Sequence, residues 1–562
     1  MPNIPLTTDD TAKREQVRQE EIALALTKAA PGGTVWSRST LAEVLPEPTP
    51  MTWSVIQELL SPRGGFGAMY RDVGLYPSPL LEDQGVYDLI CGRTYCNLSR
   101  EPLMYSNGLP LCHSFAALKA VPENALDPRA QFDLRAADWR LWAVLPVHLL
   151  RSLRASRQLG RAMATFAGDF QDRILPQFEQ RFEQESKREL AGLSGHELLG
   201  CVDCRIKLTL HDYARHSLKA TVFAASSISE LERMLQQVVE PERAQNAVRE
   251  LTMEASSEWQ VNLASAFREL ATGQLSKERF VARFGKRGWQ EMELAQPRWC
   301  ERPDELESLL AKQAQSDSEL ALDGSARGDK IVAELKLKSP AKHDKIEADL
   351  RKKVHAWRNL VALRESAKHH FMTGYSLIRE CLLELDHRHR LEGGIFYLVR
   401  EDLPRLVAGE DFSNLIVERQ RRRALALSLY LPPVLFSDDL DAIGRRVETP
   451  STGTLRGVPV SAGVAEETAL VLQTPDCAVP KRPYILVCPA TDPAWLPLFA
   501  NARGLVMETG GILSHGAILA REFGLPAVTG LPGACQNFQT GQVLRVDGSS
   551  GTVVILPARQ RW

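Results

Sequence analysis

The pattern of hydrophobic and polar positions changes along the chain. From about residue 125 to 310, and again from 351 to 385, Leu and Ala recur among Arg, Glu and Gln at helical spacing, and glycine is rare. After residue 452 the pattern becomes short apolar runs separated by Gly and Pro, which is typical of strands joined to short helices. We therefore predict a multidomain protein with α+β and α/β parts, in which a large, mainly helical central domain precedes a C-terminal α/β domain.

The same pattern predicts four segments. Residues 1–30 are predicted to form a polar helical leader. The mainly helical domain follows over residues 31–404, with a proline-punctuated, extended start. A connector over residues 405–451 leads to the α/β domain, which occupies residues 452–562.

Composition narrows the class of protein. The chain has 562 residues, 44% hydrophobic and 25% charged, with a formal net charge of −2. This balance favours neither nucleic-acid binding nor membrane binding, and no apolar run is long enough to span a bilayer. The amino terminus lacks the basic and apolar blocks of a signal peptide, and ten scattered cysteines fit reduced thiols. We therefore expect a cytoplasmic protein.

One CxxC pair, Cys201-Val202-Asp203-Cys204, could indicate a metal or redox site. A single pair without a second one at suitable spacing is weak evidence for zinc. Free thiols in a packed helix are the simpler interpretation, and no metal site is predicted in this chain.

The strongest chemical signal is one histidine near the end of the chain. A short apolar run ends at Gly510-Gly511, and Ser514 is a natural N-cap that places His515 at the first helical position. Unpaired backbone N–H groups and the positive end of the helix dipole favour an anion there. A neutral imidazole at that position is a competent nucleophile toward phosphorus. An isolated histidine in such a place more often only caps a surface helix.

The surrounding residues favour the chemical interpretation. The segment resembles the phosphohistidine signature of the phosphoenolpyruvate-utilising enzymes, a mobile α/β domain. The resemblance covers about residues 452–557 and includes Ala490-Thr491-Asp492-Pro493 upstream and Val543–Gly548 downstream. The matching residues of the signature are Gly510, Gly511, Ser514, His515, Ala517, Ile518, Ala520, Arg521, Glu522, Gly524, Pro526, Ala527, Val528 and Gly530. Leu513 stands where the dikinase branch has a threonine, which excludes regulatory phosphorylation of that threonine here.

This resemblance implies that His515 carries a phosphoryl group. Gly510, Gly511, Ser514 and Gly516 would support the phosphate at the helix start. Arg521 lies six residues beyond the histidine. It is expected to brace the domain or to contact a partner.

The acceptor site is expected in the helical domain. A run from Arg364 to Leu398 resembles the end of the central domain of rifampicin phosphotransferase. Spacings of four residues place two pairs of polar side chains on shared helical faces. The candidates for binding or deprotonating the acceptor are Arg364, Lys368, His369, Tyr375 and Arg379. Ordinary salt pairing with Glu365 and Glu380 is the alternative.

No nucleotide-binding loop is recognisable in the sequence. Full-length relatives begin with an ATP-grasp domain, whereas this chain opens directly on the central domain. The organisation resembles the large subunit of phenylphosphate synthase, whose ATP-grasp part is a separate subunit. The resemblance therefore implies an ATP-grasp partner that binds ATP with Mg²⁺ or Mn²⁺, converts it to AMP and phosphate, and loads His515. The phosphoryl group would then pass to the hydroxyl of a small organic acceptor such as a phenol.

Two other functions remain open. The chain could be part of a split antibiotic phosphotransferase of the rifampicin kind. It could also be a non-enzymatic histidine phosphocarrier, although a pure carrier needs only the small domain. Some relatives use the arm to activate a carbonyl or an acid for condensation, so the chemistry at the acceptor stays open.

Overall fold

The computed structural model describes residues 10–38, 41–126, 128–133, 139–237, 239–240, 243–244, 247–248, 263–314, 343–445, 454–511, 514–531 and 533–557. The first nine residues of the predicted leader and the last residues of the predicted connector lie outside these ranges.

Helices dominate the described residues before position 430, and strands dominate after it. The α-helices are Asp10–Thr27, Leu41–Val44, Pro50–Leu60, Gly65–Asp72, Leu81–Gln84, Phe115–Ala120, Trp139–Asp169, Leu175–Ser186, Gly195–Ile206, Ala214–Gln236, Leu263–Ala271, Lys277–Phe284, Pro303–Ala314, His343–His389, Leu403–Val407, Ser413–Ser428, Leu496–Phe499, His515–Glu522 and Ala534–Asn537. Stretches of π-helix cover Phe170–Ile174 and Lys207–Tyr213. Short 3-10 helices cover Glu101–Met104, Pro122–Ala125, Gly394–Tyr397, Arg400–Asp402, Leu440–Ala442 and Pro493–Trp495. The strands are Val35–Ser37, Tyr87–Ile90, Arg93–Asn97, Leu111–Cys112, Gln131–Phe132, Val434–Phe436, Thr454–Arg456, Val458–Ser461, Val464–Val471, Tyr484–Cys488, Ala502–Met507, Ala527–Thr529, Val543–Asp547 and Thr552–Leu556.

The chain forms two compact units, and each unit draws on separated stretches of sequence. The first unit contains residues 1–218, 292–296 and 370–447. The second contains residues 219–291, 297–369 and 448–562. This division passes through the predicted segment 31–404, whose role as one functional domain stays a prediction.

The first unit is built on a four-stranded antiparallel sheet. Its strand order is Tyr87–Ile90, Arg93–Asn97, Val35–Ser37 and Val434–Phe436, so the strand at the end of the unit pairs with the strand at its start. Trp36 is fully buried in the sheet and donates its indole N–H to Asp88 at 2.7 Å.

The helix Asp10–Thr27 packs into this same unit. Val17 and Ala25 are buried in the hydrophobic cluster that contains Trp36. Glu21 accepts the backbone N–H of Cys91 at 2.7 Å and pairs with Arg422 at 3.2 Å. One face of the predicted polar leader is therefore part of a core.

The helical part of the second unit surrounds an aromatic cluster. Phe267, Phe280, Phe284 and Trp299 are all buried and in ring contact. They come from the helices Leu263–Ala271 and Lys277–Phe284 and from the segment before Pro303–Ala314. The same hydrophobic cluster includes residues of the C-terminal sheet, among them Leu505 and Met507. Helices and sheet therefore pack against each other within this unit.

The C-terminal part of the second unit is an eight-stranded mixed sheet. The strand order is Thr454–Arg456, Thr552–Leu556, Val543–Asp547, Val464–Val471, Tyr484–Cys488, Ala502–Met507, Ala527–Thr529 and Val458–Ser461. The four strands from Val464–Val471 to Ala527–Thr529 are parallel, and the flanking strands pair antiparallel. A mainly helical region followed by an α/β domain confirms the predicted fold class.

No helix among the described residues has the length and apolar character that crossing a membrane would require.

Candidate functional site

The candidate site lies where the buried parallel strand Ala502–Met507 leads into the helix His515–Glu522. Gly510 has a φ of +141°, a conformation that disfavours side chains, and a Cβ there would lie 2.8 Å from the hydroxyl of Thr529. Ser514 is extended and accepts the backbone N–H of Ala517 at 3.1 Å, which makes it the N-cap. The helix therefore begins at His515.

A second glycine brings the helix start close to its neighbours. A Cβ on Gly516 would collide with the Thr491 hydroxyl and would lie 2.5 Å from the Met507 sulfur. A Cβ on Gly511 would meet nothing within 4 Å. The helix start thus packs closely on one side, while the backbone at Gly511 borders open space. The predicted support of a phosphate by these residues stays a prediction.

His515 is partly buried, and its surroundings favour the neutral imidazole. Burial is the largest cause that lowers its pKa, from 6.5 to about 3, and the positive charge of Lys368 is the next. The carboxylate of Glu365 opposes this effect, and Arg287 adds to it. Neutral pH is therefore far above the pKa of this imidazole, which keeps a lone pair available for a bond to an electrophile.

The charges near His515 form a buried network. Glu291 is 3% exposed, and its carboxylate accepts a hydrogen bond from Arg287 at 2.9 Å and pairs with Lys368 at 3.2 Å. Burial alone would raise the pKa of Glu291, but the two cations bring it down to about 2. Glu365 pairs with Arg364. Burial works against the charged form of Glu365 as well, but Arg364 and Lys368 lower its pKa overall. Three cations thus share two carboxylates.

Three predicted acceptor-site residues lie in the same unit as His515. Arg364 and Lys368 belong to the network just described. His369 is buried and meets the Phe284 ring edge-on, with 5.5 Å between ring centroids.

The other two predicted acceptor residues belong to the first unit. Tyr375 is fully buried and stacks on Phe371. Arg379 is buried, donates to the Leu294 carbonyl and lies over the Phe396 ring at 5.3 Å. These contacts hold the core together, and a role for either residue in acceptor binding stays a prediction.

Arg521 is also buried, and its Nε donates to the Val460 carbonyl at 2.8 Å. This bond ties the histidine-bearing helix to the strand Val458–Ser461, and burial lowers the pKa of Arg521 to about 10.

Sequence reasoning missed Arg287 and Glu291, which come from a loop far from both His515 and Lys368 in the chain. Their spacing of four residues was a visible signal, but such pairs are common on exposed helices. Only the fold shows that this pair is buried beside the histidine.

Metal ligation finds no support among the described residues, where no cluster of three or more His, Cys, Asp or Glu side chains could hold an ion. Cys201 and Cys204 lie on the helix Gly195–Ile206, one buried and the other exposed, and both are free thiols. The binding of ATP with Mg²⁺ or Mn²⁺ by a partner protein stays a prediction.

Two protein-family models match the chain. Residues 480–551 match the mobile domain of PEP-utilising enzymes, and residues 219–365 match the fourth domain of rifampicin phosphotransferase. The second unit contains both regions except for residues 292–296, which belong to the first unit. The chain is thus similar to the PEP-utilising enzymes, and among them to the rifampicin phosphotransferases.

Individual relatives agree with this family. Rifampicin phosphotransferase of Streptomyces sviceus is 30% identical over 295 residues, which cover 50% of this chain and 34% of the relative. The Bacillus cereus protein of the same name is 33% identical over 209 residues, or 35% of this chain and 24% of the relative. The prodigiosin synthesizing transferase PigC of Serratia marcescens is 30% identical over 295 residues, or 49% of this chain and 33% of the relative. The chain thus matches about a third or less of each relative's length.

Proposed function

We propose that this chain is the carrier and acceptor component of a phosphotransferase, with His515 as the residue that bears the phosphoryl group. The observation that carries the proposal is a neutral, partly buried imidazole at a helix start, beside Lys368 and Arg287. A neutral ring can attack phosphorus, and the cations can balance the charge that a phosphoryl group brings. Similarity to PEP-utilising enzymes and to rifampicin phosphotransferases supports the same chemistry.

The reaction has two halves. In the first, an N–P bond forms between a ring nitrogen of His515 and the β-phosphoryl group of ATP, while AMP leaves and water releases the γ-phosphoryl as phosphate. In the second, the N–P bond breaks, an O–P bond forms to an acceptor hydroxyl, and the hydroxyl proton is released. We assign the first half to an ATP-grasp partner that holds ATP with Mg²⁺ or Mn²⁺. Because the reaction draws on ATP, we expect it in the cytoplasm.

Charge placement supports the second half at the network around His515. A phosphoryl group on His515 would add negative charge next to Lys368 and Arg287, and Arg364 lies beside Glu365 in the same network. Such cations stabilise the equatorial oxygens of a phosphoryl group during transfer. Arg364 and Lys368 are thus our candidates for holding the group while a small hydroxylated acceptor attacks.

The test of the first half uses ATP labelled at the β-phosphorus and candidate ATP-grasp proteins. We expect an acid-labile, base-stable label on the wild-type chain and none on His515→Ala. His196→Ala is a matched control that should keep the label, because His196 lies in the first unit. No label on the wild type, or an equal label on His515→Ala, would contradict the proposal.

The identity of the acceptor separates the remaining alternatives. Similarity to rifampicin phosphotransferases favours an antibiotic hydroxyl, whereas the notion of a split synthase favours a simple phenol. The labelled chain should therefore be offered rifampicin and a panel of phenols. Loss of label to one class identifies the acceptor, and transfer to neither while His515 stays labelled favours a phosphocarrier.

A further inference from the structure

Asp492 lies in the mobile-domain region and bonds to a loop outside that region. One carboxylate oxygen accepts the N–H of Gln290 at 2.8 Å, and the other accepts the N–H of Ala494 at 2.9 Å. Ala494 belongs to the same domain as Asp492, within residues 480–551, whereas Gln290 belongs to the matched region 219–365. One carboxylate thus joins the two regions.

The partner loop is held in an unusual conformation. Gln290 has a φ of +47°, a left-handed conformation that is unfavourable for a residue with a side chain. That conformation accompanies a backbone N–H directed at Asp492. The next residue is Glu291, which pairs with Arg287 and Lys368 beside His515. The residue that donates to Asp492 is therefore adjacent in sequence to Glu291, a member of the charged network.

The electrostatic surroundings of Asp492 oppose its negative charge. Burial raises its pKa from 3.8 to about 7, and the nearby carboxylate of Glu291 adds to the rise. The two backbone N–H groups and Lys368 work in the opposite direction. Arg287 and the buried thiol of Cys488 also interact with this carboxylate.

We propose that Asp492 is a positioning residue that latches the His515-bearing region to the Gln290–Glu291 turn while His515 faces Lys368 and Glu365. The latch rests on the proposed function in one respect, namely that the mobile domain leaves and returns between loading and transfer. Asp492 contacts neither the phosphoryl group nor the acceptor. Its role is to fix the position of His515.

Proton linkage determines how the stability of the latched state depends on pH. In the latched state Asp492 binds a proton up to about pH 7 instead of 3.8, which favours latching as the pH falls. In that state His515 stays neutral down to about pH 3 instead of 6.5, which disfavours latching as the pH falls. Between about pH 4 and 6.5 the two effects cancel, because latching moves one proton from His515 to Asp492. The wild-type latch should therefore be nearly independent of pH in that range.

The experiment uses the full chain and needs neither ATP nor acceptor. Hydrogen exchange reports protection of the Gln290 amide, and diethyl pyrocarbonate reports access to His515, each corrected for its intrinsic pH dependence. Asp492→Ser keeps a hydroxyl to cap Ala494 but is too short for Gln290. We expect it to lower the Gln290 protection at least tenfold and to speed the modification of His515.

A second variant tests the linkage. Asp492→Asn removes the titrating carboxylate, so its remaining latch should weaken by about tenfold per pH unit below 6.5, while the wild type stays flat. Asp547→Asn is the matched control, because Asp547 accepts the N–H groups of Ser549 and Ser550 within its own turn. It should behave as the wild type does.

Unchanged Gln290 protection and unchanged His515 access in Asp492→Ser would overturn the proposal. With the loading partner present, a positioning role also predicts that Asp492→Ser accepts label on His515 at the wild-type rate but passes it on at least tenfold more slowly. Equal loss of both half-reactions, together with a lower melting temperature, would mean that Asp492 only stabilises the fold. Failure of His515 to accept label would overturn the proposed function and leave the exchange result standing.

Discussion

His515 draws its properties from side chains that are distant in sequence. Burial makes the imidazolium costly, and Lys368 adds a like charge, so the ring stays neutral over the physiological pH range. The same burial requires that the cations be paired, which Glu291 and Glu365 accomplish. A neutral imidazole and a set of paired charges are thus held in one place within the second unit.

Lys368 should govern the protonation of His515. Replacing Lys368 by Met removes the cation that lowers the pKa of His515 most and leaves the carboxylates of Glu365 and Glu291 less compensated. The pKa of His515 should therefore rise while staying below 6.5, because burial still lowers it. Histidine-selective NMR titration measures this shift. Lys353→Met is the control, because Lys353 lies on the same helix but pairs with Glu230. An identical His515 titration in Lys368→Met and the wild type would contradict the assigned network.

Elements place these residues through tight backbone contacts. The strand Ala502–Met507 is buried in the middle of the parallel strands, and the turn after it must deliver a helix start beside Thr491 and Met507. Glycine at position 516 permits that approach. The packing of the helix start thus depends on the absence of one methyl group.

Gly516→Ala should therefore destabilise the second unit. Forcing a methyl group against Met507 and Thr491 costs about 1–3 kcal/mol, which the better helix propensity of Ala offsets by at most about 1 kcal/mol. Urea unfolding measures the difference. Gly511→Ala is the matched control, since a Cβ there meets nothing within 4 Å, and it should change the free energy of unfolding by less than about 0.5 kcal/mol. Equal effects of the two variants would show that the helix start can accommodate a methyl group at position 516.

The local features of this turn could be predicted from the sequence, and the site around it could not. Ser514 as the N-cap and a helix starting at His515 follow from short-range rules, and the structure has both. Gly524 follows the helix end at a φ of +63°, the left-handed conformation in which glycine commonly ends a helix. Arg287 and Glu291 reach the histidine only through the tertiary fold, because more than 220 residues separate them from it. No periodicity encodes such a contact.

At the scale of the whole molecule, long-range pairing also decides how the chain is divided. The strand Val434–Phe436 pairs with Val35–Ser37 across about 400 residues, and the segment 292–296 joins the first unit between two stretches of the second. Thr49 and Thr52 donate hydrogen bonds to the buried carboxylate of Glu293 in that segment, at 2.8 and 2.6 Å. Shifts in composition mark where strands replace helices along the chain, but they do not show which distant segments belong to the same unit.

The helix Asp10–Thr27 is the clearest test of this view, because the sequence predicts a polar leader there, whereas one face of the helix is buried in the first unit. Removing residues 1–30 would expose the surface that Val17 covers and leave the Cys91 N–H without Glu21. Losing a buried valine costs about 2 kcal/mol and an unsatisfied buried N–H about 1–3 kcal/mol, so the truncated chain should unfold at a clearly lower urea concentration. Gln16→Ala, a change on the exposed face of the same helix, should shift the unfolding free energy by less than about 0.5 kcal/mol. If the truncated chain unfolds at the same urea concentration as the wild type, the segment is a separate leader, and the core of the first unit is stable without it.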